Sequence, residues 1–191
     1  MPEHAKPLIP SFTYHPSSSP FTVSSRKYLA SQVDAEYEYL ATGALVFDDS
    51  DSSTPRILLL QRSASDSMPG RWEIPGGGVD DDDESILHAV ARELWEEAAL
   101  TTVKVGPLVG EPHFFESRSG KQICRLNFLV EAKETNGALK VKLDPEEHQN
   151  FLWATEEDVR AKKAGGFVLD FTTTNTEANV LEAFLTKRQG R

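Results

Sequence analysis

The sequence predicts an α/β protein, a mixed β-sheet held between α-helices. Three observations carry that expectation. From Tyr37 onward, strand-like apolar runs alternate with polar loops. One well-patterned helix, Ser85 to Ala98, interrupts the strands. An amphipathic helix closes the chain.

The elements follow in order. Residues 1–36 read as an N-terminal extension, partly flexible, because 1–30 are rich in Pro and Ser and include PSSSP at Pro16–Pro20. The folded domain spans 37–191. ATGALVF (Ala41–Phe47) and RILLLQR (Arg56–Arg62) flank the polar DDSDSSTP, which predicts a hairpin. RWEIP (Arg71–Pro75) is a short strand, and PGGG (Pro75–Gly78) breaks regular structure. Between Ser85 and Ala98, the residues Leu87, Val90, Ala91, Leu94 and Ala98 share one helix face. VGEPHFFE, a turn at SRSGK, and QICRLNFLVEA form a second hairpin, and FLWAT is a last short strand. Thr155 with Asp158 reads as a capping box opening EEDVRAKKA. Thr174 with Glu177 reads the same way for the last helix, where Val180, Leu181, Phe184 and Leu185 form a packing stripe.

The 191 residues suffice for one domain with its own core. A net charge of -10 repels nucleic-acid backbone and anionic membrane, so neither is an expected partner. A small anionic substrate then needs a local counter-charge, from side chains or metal ions. The single cysteine, Cys124, excludes an intrachain disulfide and reads as a small packed hydrophobe. No apolar run reaches membrane-spanning length, and the start MPEHAKPLIPSF lacks the pattern of a secretory signal. The expectation is a cytoplasmic monomer or homodimer.

RELWEEAAL (Arg92–Leu100) places Glu93, Glu96 and Glu97 over about 100° of helix circumference, so their carboxylates can converge. They crowd the helix C-terminus, where the macrodipole disfavours acids, and they repel one another. A solvated helix face is the plain reading. A bound divalent cation would remove the conflict, and oxygen ligands point to magnesium or manganese. Glu84 and Arg92, eight residues apart, share a face two turns apart. Glu84 is placed to bond the loop backbone or Arg92.

From Gly78 to Leu100 the sequence reads GVDDDDESILHAVARELWEEAAL. It resembles the Nudix box, with Gly78, Glu84, Arg92, Glu93, Leu94, Glu96, Glu97 and Leu100 in register. Ala99 alone departs, standing where the family usually has Gly. The resemblance implies a Nudix fold from about Tyr37 to the C-terminal helix. It also implies hydrolysis of a nucleoside diphosphate linked to another group, by water attack on phosphorus. Glu93 and Glu97 match the principal metal-ligand carboxylates, Glu96 a further ligand or water-holding position, and Gly77 a residue whose carbonyl often joins the metal shell. Gly78, Glu84 and Arg92 match structural positions of the box. The favoured cofactor is magnesium, and the favoured substrate a nucleoside triphosphate or nucleotide sugar.

In this family the general base is a box glutamate or a carboxylate on a distant loop. LDPEEHQNFLW offers Glu146, Glu147 and His148, and Glu147 is the candidate. His148 reads first as a hydrogen-bonded loop residue. Asp80–Asp83 read as solvated acids at a helix N-terminus. Trp72, Phe114 and Phe115 could stack on a base or pack in the core. Arg62, Arg71 and Arg118 are candidates for phosphate oxygens. The alternative function is a catalytically silent Nudix-fold sensor or protein-binding module, although such domains often lose box glutamates and all are present here.

Overall fold

Strand-forming runs and two helices with apolar faces produce a sheet covered on both sides. The computed structural model describes residues 8–33, 35–51 and 53–190. Its elements are β1 (Thr13–Tyr14), a 3-10 turn (Pro16–Phe21), α1 (Ser25–Ser31), β2 (Tyr39–Asp48), β3 (Arg56–Arg62), β4 (Trp72–Glu73) and α2 (Ile86–Ala98). There follow β5 (Thr102–Leu108), β6 (His113–Glu116), β7 (Gln122–Ala132), β8 (His148–Thr155), α3 (Glu156–Ala161), β9 (Lys163–Ala164), β10 (Phe167–Val168) and α4 (Thr174–Gln189).

The main sheet runs β1-β5-β7-β2-β3-β4, with β6 also on β7 and β8 also on β3. β2 and β7 are parallel, and most other neighbours are antiparallel, so the sheet is mixed. Side chains alternate across it. Leu40, Ala44 and Val46 of β2 and Cys124, Leu126 and Phe128 of β7 pack with Ile86, Leu87, Val90 and Leu94 of α2. On the opposite face Leu45, Ile57, Leu59 and Trp72 pack with Val180, Ala183 and Phe184 of α4. No helix among the described residues is long and apolar enough to cross a membrane.

One irregularity creates the site. β2 and β3 pair only at Phe47↔Ile57 and Asp48↔Arg56, then diverge. The chain after β4 fills the wedge. Thr42 and Ala44 donate their amides to the carbonyls of Gly77 and Pro75, both at 2.8 Å. The glycine loop therefore enters the sheet itself, where its backbone satisfies strand donors that lack a strand partner.

Between Phe12 and Leu29 the N-terminal segment, read from composition as a partly flexible extension, packs on the domain, while Leu8 is exposed; residues 1–7 lie outside the described residues. Thr13 and Tyr14 pair in parallel with Lys104 and Val105. Ser18 Oγ donates to the Gly106 carbonyl at 2.6 Å, and Phe21 meets Phe128 edge-on at 5.1 Å. The Val23 carbonyl accepts the Ile86 amide, one of the unpaired donors of the first turn of α2. Pro and Ser here serve a tight turn and its hydrogen bonds, which composition alone does not distinguish from a flexible tail.

Thr155 and Asp158 form the full capping box of α3. The cap of α4 is Thr173 rather than Thr174: its hydroxyl accepts the Thr176 amide, and Glu177 pairs instead with Lys162. Leu185 of the expected apolar stripe is exposed.

Candidate active site

α2 starts at Ser85, whose hydroxyl accepts the His88 amide, and ends at Ala99 in the left-handed region (φ 53°, ψ 27°). Leu87, Val90, Leu94 and Ala98 hold the apolar face on the sheet. That anchoring turns Arg92, Glu93, Glu96 and Glu97 toward the glycine loop. Arg92 is buried and makes five hydrogen bonds. Nε and Nη2 reach the two Asp83 oxygens at 2.9 Å each, and Nη2 also reaches the Gly78 carbonyl at 2.8 Å. Nη1 reaches Glu93 at 2.7 Å and Glu96 at 2.8 Å. Burial alone would loosen the Arg92 proton, but Asp83 and Glu93 outweigh it and hold the guanidinium charged.

Two expectations change here. Asp83, read as a solvated acid, is buried and clamps Arg92. Glu84, read as the brace, is largely exposed, with its carboxylate 3.4 Å from His88 Nε2. Ser85 begins the helix, so the residue two before it turns inward while Glu84 points out.

Glu97 is 5% exposed, and one of its oxygens accepts the Gly76 amide at 2.8 Å. Burial raises its pKa well above the usual carboxylate range, and Glu93, Glu73 and Glu147 push the same way. Burial likewise lifts Glu93 to about 7, reinforced by Glu96 and Glu147 and opposed by Arg92. Gly77 lies against Glu93. A Cβ there would fall 2.7 Å from a Glu93 carboxylate oxygen, so the missing side chain is what lets backbone and carboxylate meet.

The second half of the cluster comes from the loop before β8. The amides of Lys142 and Asp144 donate to the carbonyls of Ala98 and Glu97, taking up acceptors at the end of α2. Ser63 fixes the other side, its amide bonding the Glu147 carbonyl and its hydroxyl the Glu146 carbonyl. So held, one ligand atom each of Glu97, Glu147 and His148 lie within 4.8 Å of one another. His148 is buried, with Nε2 3.2 Å from Glu73 and no hydrogen-bond partner for Nδ1 among the described residues.

Of the four residues expected to bind substrate, Arg62, Arg71 and Trp72 are engaged within the protein, and Phe114 is exposed. Arg62 bridges Glu73 and Asp66. Arg71 bonds Asp170 and the Phe171 carbonyl, both at 3.0 Å. Trp72 is fully enclosed, donates from Nε1 to the Val168 carbonyl and meets the Phe167 ring. Phe114 pairs across the strands with Cys124 and lies 5.4 Å from the Tyr37 ring. Arg118 donates to the Ser67 carbonyl. Phe115 stacks on His113.

Sequence reasoning missed Glu73 and Arg125. Both are charged residues inside mostly apolar strands, WEI and ICRLNF, and that intrusion was the available signal. Glu73 is buried between Arg62 and His148. Arg125 is affected first by burial, which lowers its proton affinity, while Glu73, Glu97 and Glu93 act to raise it.

The family profile described as NUDIX domain matches residues 39–172. No curated protein matches the chain significantly. Solved structures do. A MutT protein from Methanosarcina mazei is 26% identical with a TM-score of 0.58, over 83% of this chain and 99% of that one. An Ap4A hydrolase from C. elegans is 25% identical with a TM-score of 0.57, over 78% and 99%. The NUDIX domain of Shewanella oneidensis NrtR, solved with ADP ribose, is 19% identical with a TM-score of 0.60, over 86% and 99%. That last likeness speaks to the fold alone.

Proposed function

The chain belongs to the Nudix family, and from that premise we propose that it is a magnesium-dependent hydrolase. It cleaves the pyrophosphate bond of a nucleoside diphosphate linked to another group. The observation that carries the reading is the convergence of Glu97, Glu147 and His148 beside Glu93 under the glycine loop. Residues 37–191 form the Nudix domain in this reading, preceded by the segment 1–36.

The residues fit a hard divalent cation. Their donors are mainly carboxylate oxygens, and Gly77 has no side chain to fill the space against Glu93. Acids lifted toward neutrality by burial and by one another are also what a cation would relieve. Glu93, Glu96 and Glu97, with the Gly77 carbonyl, would hold magnesium, or manganese in its place. When bound, the ion neutralises phosphate charge and lowers the pKa of the attacking water.

The chain supplies the rest. Arg92 aligns Glu93 and Glu96, and the Gly76 amide orients Glu97. Glu147 is the proposed base: its carboxylate takes the water proton as the new P–O bond forms and the bridging P–O bond breaks. Its backbone is held on both sides, so its reach toward Glu97 is preorganised. The substrate is a small nucleotide, of the nucleoside triphosphate or nucleotide-sugar type. The likeness to an Ap4A hydrolase supports a nucleotide. Such a substrate and the buried free thiol of Cys124 suit a cytoplasmic setting.

The test is a panel of nucleoside triphosphates, nucleotide sugars and dinucleotides offered to the purified protein with magnesium. Turnover of at least one class is expected. Glu97→Gln should lose at least ~100-fold in kcat through weakened metal holding. A wild type inert across the panel, or a variant equally active, contradicts the reading.

A further inference from the structure

Arg125 sits on β7 between Cys124 and Leu126, both buried on the α2 side of the sheet. Alternation puts its own side chain on the other face. There it lies in a row with Ala41 and Gly43 of β2, its neighbour Asn127, and His113 of β6. Gly43 makes room for the pair. A Cβ at that position would fall 2.2 Å from Asn127 Oδ1 and 3.1 Å from Arg125 Nη2.

The hydrogen bonding of Arg125 is sparse. Nε donates to Asn127 Oδ1 at 3.2 Å, and no ion pair with the side chain occurs among the described residues. Nη2 is enclosed and has no hydrogen-bond partner among the described residues. The contrast with the arginines around it is chemical. Arg92 makes five hydrogen bonds, and Arg62 holds two carboxylates. Arg125 faces the field of Glu73, Glu97 and Glu93 without being neutralised by direct contact with any of them. A buried donor left unpaired is costly, and that cost is recovered when an acceptor arrives. The guanidinium fork suits an anion with paired oxygens, which a diphosphate supplies.

We propose that Arg125 is a substrate-binding residue whose unused N–H groups hold non-bridging oxygens of the diphosphate, on a guanidinium plane fixed by Asn127 over Gly43. This rests on the pyrophosphohydrolase reading above. The metal-binding acids and Arg125 then grip the same anion from two sides: α2 supplies the carboxylates, β7 the cation. Asn127 acts through Arg125 and is a positioning residue.

The test uses isotope-labelled full-length protein with magnesium, titrated with inorganic pyrophosphate. The Nε–H resonance of Arg125, assigned through bonds from its own side-chain carbons, should move saturably. By calorimetry, Arg125→Lys should bind pyrophosphate at least ~10-fold more weakly, since it keeps the charge and loses the fork. Arg125→Met should be weaker still. Three results overturn the proposal: a wild type that does not bind pyrophosphate, an Arg125 resonance that stays still while pyrophosphate binds, or a folded lysine variant of unchanged affinity. If the wild type hydrolyses nucleotides while Arg125 stays silent, this inference falls alone. A wild type inert on the nucleotide panel removes the reading beneath it.

Discussion

The middle and the end of α2 treat charge in opposite ways. Arg92 is surrounded by acceptors. Asp83 clamps it with both oxygens, the Gly78 carbonyl takes a third bond, and Glu93 and Glu96 complete the set. One turn on, Glu97 has a single backbone donor from Gly76 and three carboxylates raising its pKa after burial. The first arrangement is closed for the cation, because all five N–H groups of the guanidinium have acceptors. The second is open, with too much negative charge and too few donors. A buried charge that is fully paired builds the fold; one left under-compensated marks where the protein meets something else.

The comparison can be broken from its closed side first. Asp83→Asn leaves a buried guanidinium without its carboxylate clamp, and chemical denaturation should register a loss of about 3 kcal/mol. Glu84→Gln, beside it in sequence and largely exposed, should stay within about 0.5 kcal/mol of wild type. Equal losses in the two variants would mean that Asp83 is not the brace.

The open side predicts the reverse pattern. Glu97→Gln should reduce turnover by at least ~100-fold, equivalent to about 2.7 kcal/mol of barrier, without destabilising the metal-free protein. Fold stability lost in parallel with activity would make Glu97 a structural residue like Arg92.

Acidity sharpens the contrast. Glu93 is raised from 4.5 to about 7, and Glu97 is also raised, so the metal-free native state binds more protons than the unfolded chain through this window. That contribution to stability is full below about 4.5 and is lost as pH rises through about 7. Denaturation midpoints of metal-free protein should therefore decline across that range, and saturating magnesium should reduce the decline. A midpoint that rises with pH, with magnesium making no difference, would remove the acid cluster from the account.

The smallest expected effect is at the end of the helix. Ala99 is exposed with φ 53°, where a Cβ is strained. Ala99→Gly should stabilise the fold by about 1 kcal/mol with activity kept. Destabilisation on thermal unfolding would show that its methyl group is needed.

Much of this was legible in the sequence. The periodicity of α2, both hairpins and the capping box of α3 are local signals, and they appear where local chemistry puts them. The glutamate spacing showed that the acids could converge. The rest depends on the sheet. Which acid clamps Arg92 turns on where Ser85 starts the helix, and no spacing rule separates Asp83 from Glu84. Arg62, Arg71 and Trp72 looked available because their partners at Glu73, Asp170 and Val168 are set by tertiary packing. Glu73 and Arg125 gain meaning only once β2 and β3 diverge and the glycine loop fills the gap. The packing within the Pro- and Ser-rich start was hidden for the same reason: Ser18 and Phe21 are held by β5 and β7, far along the chain.

The central claim is that the acids at the end of α2 are left under-compensated in order to hold a divalent cation. Thermal unfolding at pH about 8, with and without magnesium, tests it most directly in wild type and Glu97→Gln side by side. Magnesium should raise the Tm of the wild type by several degrees, and the variant should respond little or not at all. An equal rise in both proteins, or none in the wild type, would contradict that claim.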